Sequence, residues 1–121
     1  MAIRDLFRRR RARIPADPAD LAHLRTWCKT RVGVEGYLEP ETLVSVPGLC
    51  LVAFDGEWTR RPVGDVATAR KITGQLGIPL YDASVSGYPD RMRAYSEVRI
   101  ARERKERARR LREQVRGADE Q

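Results

Sequence analysis

Arginine is the residue type in this chain with the most capacity for chemistry. Twenty-one arginines and three lysines are set against seventeen carboxylates, and they are placed unevenly. Residues 1–14 hold six arginines against Asp5, a net of +5, and residues 91–116 hold ten arginines and Lys105 against four glutamates, a net of +7. Between them, residues 15–90 carry seven basic and ten acidic side chains, a net of −3. Guanidinium groups bind phosphate bidentately and stack on unpaired bases. Two such blocks on either side of a mildly acidic body have the layout of arms that hold a polyanion. Arg8, Arg9, Arg10, Arg11 and Arg13 in the first block are candidate nucleic-acid ligands, as are Arg99, Arg102, Arg107, Arg109 and Arg110 in the second. Arg60 and Arg61 offer a smaller basic site within the body. The bland alternative is a pair of solvated basic tails that serve solubility.

Other chemistries find less support. His23 is the single histidine, and it lies about 200° around its helix from Leu21, which turns it toward solvent. No cysteine pair has metal or redox spacing, and Cys28 and Cys50 fall within apolar patterns as buried free thiols. Glu35, Glu39 and Glu41 bunch in what reads as a loop, where they could hold a cation or act as acid and base, but no partner residue completes a site. The sequence therefore implies no catalytic residue, no metal and no cofactor. Two aromatics are candidate partner contacts. Trp58 shares a strand face with Arg60, and Tyr88 sits in a loop just before the second basic block. Trp58 also reads as a core residue covered by a helix.

The elements that must position these residues follow from pattern. Asp17, Pro18 and Asp20 open a first helix with Leu21, Leu24 and Cys28 on one face, and Gly33 stops it. A three-stranded antiparallel meander is expected over Thr42 to Val46, Leu49 to Phe54 and Glu57 to Val63, turned by Pro47-Gly48 and by Asp55-Gly56. Pro62 assigns the third strand to an edge. Asp65 caps a second helix that carries Val66, Ala69, Ile72 and Leu76 and ends at Gly77. Ile78 to Tyr81 is a short extended segment, and a polar loop follows. From about Pro89 a long basic helix runs to Arg116, with Met92, Tyr95 and Val98 as its packing residues. Glu103 with Arg107 and Glu106 with Arg110 stand four apart in the favourable order, which supports a solvated helix. The expected fold class is α+β: a basic arm over residues 1–16, a small domain over 17–98 and a charged helix or tail over 99–121.

The order helix, three strands, helix over residues 18–77 is similar to a double-stranded RNA-binding domain. In that family a lysine-rich start to the second helix grips phosphates. Here the matching stretch, Gly64-Asp65-Val66-Ala67-Thr68-Ala69-Arg70-Lys71, opens with an aspartate. The resemblance therefore implies the fold order and transfers no binding residue. The chain also resembles small arginine-rich proteins of high-GC bacteria, some of them labelled oxidoreductases. Its glycines nowhere form the G-x-G-x-x-G turn that a dinucleotide site requires.

The expected function is non-catalytic RNA binding, as a ribosome-associated or other RNA-associated accessory protein in the cytoplasm. A protein adaptor that docks its basic helix on an acidic partner is the alternative, and a small enzyme or enzyme subunit is the weaker one. No apolar run approaches the roughly 20 residues of a membrane span. Ile3, Leu6 and Phe7 among arginines allow weak contact of the N-terminus with a membrane surface.

Overall fold

A computed structural model describes residues 15–120. Arg8, Arg9, Arg10, Arg11, Arg13 and the membrane-contact residues Ile3, Leu6 and Phe7 lie outside the described residues. Helix α1 (Pro18–Lys29) begins where the Asp17 carboxylate accepts a hydrogen bond from the Ala19 amide at 2.9 Å. Proline takes its first position, where no intrahelical amide bond is lost. Four strands follow or interleave: β1 (Glu35–Glu39), β2 (Gly48–Val52), β3 (Trp58–Pro62) and, after helix α2 (Val66–Leu76), β4 (Leu80–Asp82). A single helical turn, α3 (Ala83–Ser86), leads into the long helix α4 (Asp90–Asp119). The fold is α+β, as its patterns predicted.

The sheet order is β3-β2-β1-β4. β1, β2 and β3 form the antiparallel meander, while β4 joins β1 in parallel, with Tyr37 opposite Tyr81. The extended segment after Pro79 is therefore a strand, and the sheet is mixed. β3, with Pro62 at its end, is an edge as expected.

The first strand is displaced from its expected position. Thr42 to Val46 forms a turn in which the Thr42 hydroxyl accepts from the amides of Val44 at 3.3 Å and Ser45 at 3.1 Å. This side chain to backbone bonding competes with strand pairing, and it leaves Leu43 and Val44 almost fully exposed. β1 instead uses Glu35 to Glu39, the stretch that reads as an acidic loop.

Alternation along the strands sends two sets of side chains to opposite faces. One face packs under α1 and α2 around Leu24, Trp27, Leu49, Leu51, Ala69 and Ile72. Asp65 caps α2 by accepting from the Thr68 amide at 2.7 Å, and Gly77 closes it at φ +67°, in the left-handed region. The other face carries Tyr37, Cys50, Val52 and Trp58, packed with Met92 from the start of α4 and Ala83 from α3. Cys28 and Cys50 are buried and unbridged. Burial pushes the Cys50 thiol up to about 12 and raises that of Cys28.

Candidate nucleic-acid interface

The 30 residues of α4 rise about 45 Å, and only the first turns touch the body. The Arg91 guanidinium donates to the Ala53 carbonyl at 3.0 Å and pairs with Glu35. The Ser96 hydroxyl accepts from the Trp58 indole at 3.0 Å. Gly56, at φ +92°, lets the helix approach, since a Cβ there would collide with the Arg91 carbonyl and come within 2.9 Å of the Tyr95 Cβ. Trp58 is thus a half-buried residue roofed by α4, with the Arg60 guanidinium 5.4 Å from its ring centroid.

From Arg99 onward α4 has no buried residue. At 100° per residue, Glu103, Glu106 and Glu113 gather on one side. Arg102, Lys105, Arg109, Arg112 and Arg116, spaced alternately three and four apart, form an adjacent stripe within about 80° of arc. The acidic side consumes some cations: Glu103 pairs with Arg99 at 3.5 Å, Glu106 with Arg109 at 2.6 Å and Arg110 at 3.4 Å, and Glu113 with Arg109 at 2.6 Å. The expected Glu106–Arg110 pair forms, whereas Glu103 turns back to Arg99 instead of reaching Arg107. The hydrogen bond from Arg109 holds the Glu106 carboxyl below its ordinary range. Arg102, Lys105, Arg107, Arg112 and Arg116 make no ion pair with another described residue.

The predicted ligands therefore separate into three kinds. Arg102 and Arg107 present guanidinium groups unengaged by any other described residue, while Arg99, Arg109 and Arg110 are tied to glutamates of their own helix. Arg60 and Arg61, neighbours in sequence, point to opposite faces of β3. Arg60 pairs with Glu39 at 2.6 Å, and Arg61 pairs with Asp20 of α1 at 3.4 Å. They do not form one basic site. Lys105, Arg112 and Arg116 complete the stripe but were absent from the sequence-derived candidates, although their spacing with Arg102 and Arg109 carries the signal.

A second cluster sits on the face shared with α4, at the β1–β4 edge. Tyr37 lies between Tyr81 and Tyr88, with ring centroids 5.5 and 5.8 Å away and planes tilted by 36° and 46°. The three rings, with Glu35, Gly87 and Pro89, line a depression of about 160 Å³. Glu39 accepts from the Tyr88 hydroxyl, and burial followed by that bond pushes the Tyr88 phenol up to about 12. Glu35 and Tyr88 therefore meet at the depression, Glu39 is joined to it only through the Tyr88 hydroxyl, and both carboxylates pair with arginines, while Asp90 is exposed at the start of α4 and does not line the depression.

His23 departs from its expected outward position. Its Nε2 lies 2.7 Å from the Thr59 hydroxyl, against β3. Desolvation, then the nearby Arg61 charge, lowers its pKa. No group of three or more potential ligands able to hold a metal ion occurs among the described residues. No helix among them is long and apolar enough to cross a membrane. The chain matches no family model, no curated protein and no solved structure.

Proposed function

We propose that the protein binds RNA through the projecting half of α4 and acts as a non-catalytic accessory to an RNA or ribonucleoprotein assembly, the ribosome included. The observation that carries this reading is the stripe of Arg102, Lys105, Arg109, Arg112 and Arg116 on a helix held clear of the body. Four of these five cations have no carboxylate partner among the described residues. Each phosphate that such a cation neutralises releases counterions, so affinity accrues along the stripe without any need for sequence. The arginines at 8–11 and 13 add to the same charge. The start of α2 is no part of this proposal, since the Asp65 carboxylate caps it. A cytoplasmic location accords with two unbridged cysteines.

A second reading, a protein adaptor, draws on Ile100, Leu111 and Val115, which stand 45%, 55% and 63% exposed beside the charges of α4. Gradient sedimentation of a lysate with and without ribonuclease separates the two. RNA binding predicts co-migration with large RNA and release by nuclease. A complex that survives nuclease supports the adaptor, and migration at the top under both conditions removes both readings.

A further inference from the structure

We infer that the depression lined by Tyr37, Tyr81 and Tyr88 receives one unpaired nucleobase of the strand that α4 holds, an inference that rests on the RNA-binding reading above. Tyr81 and Tyr88 are each about 40% exposed, whereas Tyr37 between them is buried. Two partly open rings thus flank a fixed one, tilted from it by 36° and 46°, around the depression they line. A π-face open to water on a rigid strand is a stacking platform for any base.

The polar groups of the depression suit the edge of such a base. Glu35 commits Oε1 to Arg91, and its Oε2 has no hydrogen-bond partner among the described residues. The Tyr81 hydroxyl has none either. A carboxylate oxygen accepts from the exocyclic amino group of cytosine, and adenine and guanine present amino groups of the same kind. Arg91 offsets the Glu35 charge and Arg60 offsets that of Glu39, so the cup does not repel the phosphates on either side of the base. Pro89 lines the cup and is also the N-cap residue of α4, so a chain leaving the cup meets the helix that carries the cation stripe. Gly87 leaves the wall without a side chain, and a Cβ there would meet nothing within 4 Å.

The test uses the full chain with two probes of equal charge, a single-stranded cytidine ten-mer and a ten-mer of abasic ribose phosphate. Stacking predicts that the wild type binds the cytidine strand roughly tenfold more tightly than the abasic one. Tyr81→Ala should bring that ratio to one without changing the salt dependence, and Tyr81→Phe, which keeps the ring, should preserve it. Equal affinity of the wild type for the two probes overturns the cup while leaving the phosphate grip of α4 intact. Failure of both probes to bind overturns the RNA-binding reading and the cup with it. Because the wild-type ratio needs no variant, loss of folding in Tyr81→Ala cannot mask the answer.

Discussion

The body and the projecting half of α4 handle charge in opposite ways. In the body, arginines that approach the sheet meet a carboxylate across elements: Arg31 with Glu57, Arg60 with Glu39, Arg61 with Asp20 and Arg91 with Glu35. Each pair ties two segments that are distant in sequence. On α4 beyond Val98, ion pairs among the described residues join only residues three or four apart on the same helix, and nine cations share three glutamates up to Arg116. Charge in the body fixes geometry. On the helix it is left over for a partner, because a pair within one exposed helix adds little and unpaired guanidinium groups gain most from an external anion.

Substitutions that act on only one of these regions sharpen the contrast. The largest effect on folding is expected in the dry core. Leu51, fully buried under α1 and α2, should cost about 2–5 kcal/mol as Leu51→Ala in denaturant unfolding. Gly56→Val acts at the joint between the regions. It forces a side chain into the Arg91 carbonyl and the Tyr95 Cβ at a positive φ, and should cost about 1–3 kcal/mol while releasing Trp58 to solvent. Indole fluorescence reads that release directly. Asp65→Ala removes the cap of α2 and should cost about 1 kcal/mol. Its hydrogen bond from the Thr68 amide lowers the Asp65 pKa below the ordinary 3.8, so the carboxylate stabilises the fold above that value. This contribution disappears as pH falls below 3.8 through the lowered folded value, and urea titrations of wild type and variant should converge there. The smallest disturbance is to the thiols. Burial raises both, so neither Cys28 nor Cys50 should react with a thiol reagent at neutral pH until the body unfolds.

Much of the body was legible because its signals are local. Asp17 with Pro18, Asp65, Asp55-Gly56 and Gly77 mark their boundaries through capping and turn chemistry that acts within a few residues. The first strand was hidden because Thr42 to Val46 has the better β pattern, whereas Glu35 to Glu39 contains glycine and two glutamates. Pairing with β2 on one side and β4 on the other decides in favour of β1, and those partners are far away in sequence. β4 was too short for its period to register. Measured from Leu21, His23 turns outward, but the buried residues of α1 are Leu24, Trp27 and Cys28, and their centre lies closer to it around the helix.

The candidate site was legible in charge and hidden in arrangement. Basic density along α4 was plain, but which arginines stay unpaired depends on the rotamers chosen by Glu103, Glu106 and Glu113. The tyrosine cup joins residues 37, 81 and 88 through the parallel β1–β4 pairing, which no local signal announces.

The measurement closest to the central claim is the salt dependence of RNA affinity, compared between the wild type and a variant with Arg102, Lys105, Arg112 and Arg116 all replaced by glutamine. For a single strand the slope of log affinity against log salt is about −0.7 per phosphate neutralised, so the variant should lose roughly 3 units of slope if each cation holds one phosphate. Its melting temperature should not move, since none of the four makes an ion pair with another described residue. An unchanged slope in a folded variant would contradict the account and remove the helix stripe as the RNA-binding surface.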